Sequence, residues 1–172
     1  MEPQLTTVEP LTRDRAEALL EGDDAFTRQF GYRVAAGYLE FPEALPATIQ
    51  ALGDGMDPGW FSYLIIDPTT NTVVGLGGFT GPPTDGTVEI GYSVAPAHRG
   101  RGHATEAARR WLDIATARGV TLVRAHTLAE ENPSTAVLRR LGFRRTAELS
   151  DPDVGAVWRW ELTPGRRHTH DT

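Results

Sequence analysis

The stretch Arg99-Gly100-Arg101-Gly102-His103-Ala104 carries the residue types from which proteins build an anion cradle. It lies between a segment of alternating apolar residues and one with helical spacing, so its last residues open a helix. N–H groups at a helix start point outward with the positive end of the helix dipole, and glycines let that backbone approach an anion closely. A diphosphate would be held there mainly by backbone, with Arg99 and Arg101 adding charge and Ala104 and Thr105 keeping the first turn small. Without that context, the glycines would serve a tight basic loop with solvated arginines, and short glycine patterns alone decide little. The stretch lacks the Gly-Lys-Ser/Thr ending of an ATP-type loop and the three glycines of a dinucleotide fingerprint.

Glu89 is the second residue placed for chemistry. In segment 87–94, Val88, Ile90, Tyr92 and Val94 share one face, leaving Glu89, Gly91 and Ser93 on the other. A carboxylate there, close to where the strand meets the turn, suits a general base acting directly or through water. Position alone is as well served by an exposed strand carboxylate or an ion-pair partner. His98 and His103 flank the turn but have no carboxylate or histidine at ligand spacing, and no metal is expected. His168 and His170 fall in a polar tail and read as solvated.

The elements that position these groups follow from pattern and punctuation. A short strand over residues 5–8 precedes a helix over 13–20, capped by Thr12 and stopped at Gly22, and Asp23 or Asp24 caps a second short helix. Residues 30–59 are irregular, with a helix near 43–52. Strands over 60–67 and 73–80 form an antiparallel hairpin around the turn 68–71, and a Pro- and Gly-rich turn at 81–86 leads into the strand 87–94. From Gly102, the stripe Ala104, Ala108, Trp111, Leu112 and Ala115 predicts a helix that Gly119 ends, followed by a strand over 121–127. Asn132-Pro133 opens a helix that runs to Gly142, and a closing hairpin spans 144–149 and 154–162. The order is mixed α/β, with a strand, a crossover helix and a parallel strand at its centre.

A chain of 172 residues suits one domain that buries roughly two-thirds of the surface its unfolded chain exposes. Lys and Arg number 17 against 23 Asp and Glu, a formal charge of -6, which argues against a nucleic-acid surface and makes any anion site local. There is no cysteine, so disulfides, thiolate metal sites and a thiol nucleophile are excluded. The start lacks a basic stretch followed by an apolar core, and no run approaches the roughly 18 apolar residues of a membrane span, so no membrane association and a cytoplasmic setting are expected.

Arg99, Gly102 and Ala104 match the pattern Gln or Arg, two residues, Gly, one residue, then Gly or Ala, and here the chain resembles the GNAT superfamily of N-acetyltransferases. The resemblance extends through Glu89-Ile90-Gly91-Tyr92, Val94-Ala95-Pro96, the following helix, and Asn132-Pro133-Ser134 to Leu141-Gly142-Phe143. It covers roughly residues 60–149 and is similar to the ribosomal-protein alanine acetyltransferase branch. It implies a central mixed, mostly antiparallel twisted sheet flanked by helices, with a strand, phosphate turn and helix crossover. It further implies one acetyltransferase domain over residues 1–163, a flexible tail over 164–172, and acetyl-coenzyme A as co-substrate for an amine acceptor. A homodimer is left open.

The implied reaction sets the demands on the site. An alkylammonium with a pKa near that of lysine, about 10.4, costs about 4 kcal/mol to deprotonate near pH 7.4 unless a base or water chain helps. The resemblance assigns that work to Glu89. The departing thiolate needs a proton donor, for which many members use a tyrosine at the position held here by Leu138. Ser134 is the substitute, donating through water or hydrogen-bonding the thiolate, while helix capping would equally explain a serine there. The implied cofactor contacts are the backbone of Val94, the turn from Arg99 through Gly100, Arg101, Gly102, His103 and Ala104 to Thr105, and Asn132. Asn132 lies two residues before Ser134 instead of the common three, and as a helix cap it needs no ligand.

Acceptor choice falls to the early helices and nearby loops, where Phe26, Phe30, Tyr32, Tyr38 and Trp60 either line a cleft or fill the core. The acceptor is a small amine or a protein N-terminus. Two rival readings are a non-catalytic acyl-coenzyme A sensor, to which the leucine at 138 points, and a nucleotide-binding enzyme, which the missing loop lysine and missing acidic cluster disfavour.

Overall fold

Local signals near the N-terminus set the first elements of the computed structural model, which describes residues 6–40 and 42–165. Leu5, His168, His170 and most of the expected tail lie outside the described residues. The strand expected over 5–8 is β1 (Thr7–Pro10). Helix α1 (Arg13–Glu21) starts where Thr12 Oγ1 accepts the Arg15 N–H at 3.3 Å, and it ends at Gly22, whose φ of 143° turns the chain straight into α2 (Asp23–Phe30). Neither Asp23 nor Asp24 caps α2: Gly22 holds the cap position without a side-chain bond, and both carboxylates sit in the first turn, where the helix dipole favours them.

The irregular stretch contains a two-residue strand that alternation could not reveal, β2 (Arg33–Val34), and then α3 (Ala44–Gly53). Trp60 is not in a strand. Asp57 Oδ1 accepts the Gly59 N–H at 2.8 Å and winds Pro58–Trp60 into a 3-10 turn, so β3 begins at Ser62 (Ser62–Asp67). Arg118 fixes this turn, bonding Asp57 Oδ2 at 2.8 Å and lying over the Trp60 ring at 4.9 Å. The remaining elements are β4 (Thr72–Phe79), β5 (Thr87–Val94), α4 (His103–Ala117), β6 (Leu122–Leu128), α5 (Pro133–Arg140), β7 (Arg144–Asp151) and β8 (Gly155–Leu162), each near its expected place.

The sheet order is β1-β3-β4-β5-β6-β8-β7, with β2 beside the start of β4. All pairings are antiparallel except β2 with β4 and β5 with β6, the latter joined across α4 as the expected crossover. Helices cover both faces. Trp111, Ala107, Ala108 and Ala115 of α4 and Leu138 of α5 pack with Ile65, Ile90 and Val123 on one face. Leu19, Phe26 and Leu45 from α1, α2 and α3 pack with Leu64, Ile66 and Leu76 on the other.

Two contacts seat α4. Gly77 on β4 has no side chain because a Cβ there would lie 2.5 Å from the Trp111 ring and 2.6 Å from the Gly91 carbonyl. At the other end, the His103 imidazole turns inward: Nδ1 lies 2.7 Å from Thr6 Oγ1 and Nε2 lies 3.9 Å from Asp67 Oδ2. The carboxylate that the sequence did not place near His103 thus arrives from the end of β3. Burial holds His103 below the usual histidine pKa against the pull of Asp67, with His98 and Arg101 adding to the depression.

Two outcomes follow. Gly77→Ala forces the helix from the sheet and lowers stability by about 1–3 kcal/mol, read by denaturant unfolding. Because the unfolded chain protonates His103 more readily than the folded one, stability falls as pH drops below about 6.5. Calorimetry between about pH 7 and pH 5.5 should show that slope flattened in His103→Gln.

Candidate active site

Backbone hydrogen bonding outlines the site. β5 and β6 pair only at Thr87, Val88 and Glu89, where Glu89 stands beside Arg124. Over residues 90–94, β5 is paired with β4 alone, while β6 runs on against β8. The strands part just beyond Glu89, leaving roughly 16 Å of β5 edge open. The Ala95 N–H donates to the Val74 carbonyl at 2.7 Å, so the backbone groups of Val94, one residue back, point the other way into the gap. There the Val94 carbonyl accepts Arg99 Nε at 3.0 Å.

The gap runs to the glycine turn. Gly100 and Gly102 have φ of 76° and 83°, a region that L side chains rarely adopt. Gly102 is the cap residue of α4 and no side chain bonds there, so the first N–H groups of the helix, on His103, Ala104 and Thr105, face outward uncapped. A Cβ at either glycine would meet nothing within 4 Å. Arg99 and Arg101 are exposed at the rim, whereas the side chains of His103 and Thr105 are buried. Only the backbone of those two residues is offered to the turn. The geometry suits a diphosphate with an extended arm lying along the open edge of β5.

Two side-chain pairs lie on either side of the parting. Glu89 Oε1 bonds His126 Nδ1, and each side chain is about a third exposed, 37% and 33%. Arg124, in register with Glu89, bonds Glu161 at 2.8 Å instead. Sequence reading passed over His126. Its signal lies in β6, where Val123, Ala125 and Thr127 are buried and His126 is on the opposite face, but nothing local says that this face meets Glu89. Across the gap, the Tyr92 hydroxyl donates to the Ser134 carbonyl at 3.1 Å and accepts from Ser134 Oγ at 3.3 Å. Burial pushes the Tyr92 pKa up to about 12, against the Ser134 hydrogen bond, so the phenol stays protonated.

The Asn132 side chain accepts the Thr135 N–H at 3.0 Å, and Thr135 Oγ1 accepts the Asn132 N–H at 3.0 Å. This capping box accounts for Asn132 and fixes the start of α5, and thereby Ser134. Leu138 is fully buried in the core. No cluster of three metal-ligating side chains occurs among the described residues.

On the Gly91 and Ser93 face of β5, opposite α4, lies a cavity of about 300 Å3 bounded by α3, Phe61 and β4. None of the five aromatics weighed from sequence lines it: Phe26 and Tyr38 are buried core, Phe30 and Tyr32 pack beside them, and Trp60 packs on the α4 side. Of the aromatic residues that border it, Phe61, Phe79 and Tyr92, the Phe79 ring packs with Trp60 and Tyr63 on the α4 side and the Tyr92 hydroxyl reaches Ser134.

Among the described residues, no helix is long and apolar enough to cross a membrane. Residues 6–144 match the family described as Acetyltransferase (GNAT) domain. The chain is 28% identical over 132 residues to YjdG of Bacillus subtilis, an uncharacterised N-acetyltransferase, covering 74% of this chain and 79% of the relative. It shares the fold of the ribosomal-protein-S5-alanine acetyltransferase from Vibrio fischeri, with a TM-score of 0.68 and 14% identity over 96% of each chain. A spermidine N-acetyltransferase from Vibrio cholerae has the same fold at a TM-score of 0.68, with 16% identity over 98% of this chain and 99% of that one. With the family match spanning most of its length, the chain belongs to the GNAT family of acetyltransferases and is an acyltransferase.

Proposed function

We propose that this chain moves the acetyl group of acetyl-coenzyme A onto an amine by direct attack while both substrates are bound. The observation that carries this reading is the parting of β5 from β6, which runs from an uncapped helix start to a carboxylate. The co-substrate supplies an acyl group activated as a thioester. The N–H groups at the start of α4, with Arg99 and Arg101 at the rim, hold its diphosphate, and the Val94 N–H bonds its extended arm. The buried side chain of His103 contributes by anchoring the helix that presents those groups.

Glu89 takes the proton that the attacking amine must lose, and His126 holds the carboxylate in place and relays that proton toward solvent. Ser134 stands across the gap, donating a proton to the leaving sulfur. Tyr92, kept protonated by burial and bonded to the serine hydroxyl, backs it as a second donor. The tyrosine absent at Leu138 is thereby replaced by a hydroxyl reaching the gap from β5.

Gly102→Val costs about 1–3 kcal/mol of backbone strain, and its side chain enters the space before the turn. Titration calorimetry should show acetyl-coenzyme A affinity falling more than about tenfold, beyond what the loss of stability explains. Glu89→Gln should lower kcat/KM by about a hundredfold, most strongly at low pH where the amine is protonated, with acetyl-coenzyme A affinity unchanged. A flat ratio of variant to wild-type rates across pH would remove Glu89 from the role of base.

A further inference from the structure

The cavity beside β5 has a composition that selects among amines. Its helical wall comes from Ala44, Ala47 and Thr48, which share one face of α3 at i, i+3 and i+4. Opposite stand Phe61 and Leu76. Two hydroxyls in the wall are already engaged: Thr48 Oγ1 donates to Ser62 Oγ at 3.0 Å, and Ser93 Oγ donates to the Tyr38 carbonyl at 3.2 Å. Glu43 is the only ionisable carboxylate among the described lining residues, and it is exposed just before α3 begins. A cationic group drawn into this space would leave water without gaining a buried counter-charge, whereas an apolar group would exchange water for carbon contacts.

The cavity also opens toward the chemistry. A Cβ at Gly91 would meet nothing within 4 Å, so β5 is bare on that face. Glu89 lies two residues back on the same face, roughly 7 Å along the strand. Thr80, another lining residue, is tied to it, its N–H donating to the Glu89 carbonyl at 3.1 Å. An amine nitrogen near Glu89 thus has its substituent directed over Gly91 into the cavity. The volume of about 300 Å3 accommodates roughly ten non-hydrogen atoms at the ~30 Å3 that a water molecule takes in the liquid.

We propose that the acceptor is a primary amine whose adjoining body is compact, uncharged and apolar, and that polyamines are poor acceptors. This rests on the acetyltransferase reading above. The same chemistry is offered by a free arylalkylamine and by an apolar residue at the amino end of a peptide, and the cavity admits either through the group next to the nitrogen.

The test measures coenzyme A release with 2-phenylethylamine, a peptide beginning with Phe, the same peptide beginning with Asp, and spermidine, for the wild-type chain and Ala47→Phe. The expected result is a kcat/KM at least tenfold higher for 2-phenylethylamine or the Phe peptide than for spermidine or the Asp peptide. Which of the first two is faster identifies the source of the amine. Ala47→Phe should cut that preference tenfold while acetyl-coenzyme A affinity, measured by calorimetry, stays unchanged. Preference for spermidine or the Asp peptide, or a preference that survives Ala47→Phe, overturns the proposal. If no amine is acetylated, the enzymatic reading fails, and the cavity is decided separately by ligand-observed NMR of 2-phenylethylamine with coenzyme A-saturated protein. Binding lost in Ala47→Phe supports an apolar amine site; equal binding in both proteins, or none in either, overturns it.

Discussion

The separation of β5 from β6 after three paired residues is the constraint on which the site depends. A parallel pair that continued would have satisfied the outward-facing backbone groups of residues 90–94, those not bonded to β4, and left no open edge. The parting is maintained from both sides. β6 stays paired with β8 from Val123 to Leu128, and β5 with β4 from Ile90 to Val94, while α5 stands over the gap with Ser134 bonded to Tyr92. The open strand edge and the uncapped helix start are linked by Arg99, whose Nε donates to the Val94 carbonyl.

Small residues bring the crossover helix close enough for this geometry. With glycine at 77, Trp111 lies against the sheet, and its neighbours Ala107, Ala108 and Ala115 let the helix axis follow the strands. His103 secures the opposite end through Thr6 and Asp67, so the turn before α4 is held by groups from three separate parts of the chain. The imidazole serves here as an internal tie, so its ring turns inward while the backbone of the helix start faces outward.

The two faces of β5 divide the work. On one, Val88, Ile90 and Val94 build the core under α4; on the other, Gly91 and Ser93 line the cavity, with Glu89 on the same face. Glycine at 91 keeps the way between the cavity and Glu89 clear, while Tyr92, nominally on the core face, reaches past the strand edge to Ser134 because β6 is no longer there to cover it. The strand parting therefore both opens the edge of β5 and lets Tyr92 reach Ser134.

Much of this was legible in the sequence because the information is local. The alternation through 87–94, the glycine turn, the helical stripe behind it and the Asn132-Pro133 helix start each follow from the conformational limits of a few neighbouring residues, and together they define the crossover and the turn that opens it. Where local turn chemistry competed, pattern misled: Asp57, Pro58 and Gly59 took Trp60 out of its strand, and Gly22 displaced two aspartates as a cap. What only the tertiary structure decided is which distant groups meet. His126 reaches Glu89, Tyr92 reaches Ser134, Asp67 reaches His103, and Phe61 lines the cavity while Phe26 and Tyr38 fill the core. Period and punctuation fix the face on which a side chain leaves its own strand or helix; its partner depends on the register and separation of strands far apart in the chain, which no local residue preference encodes.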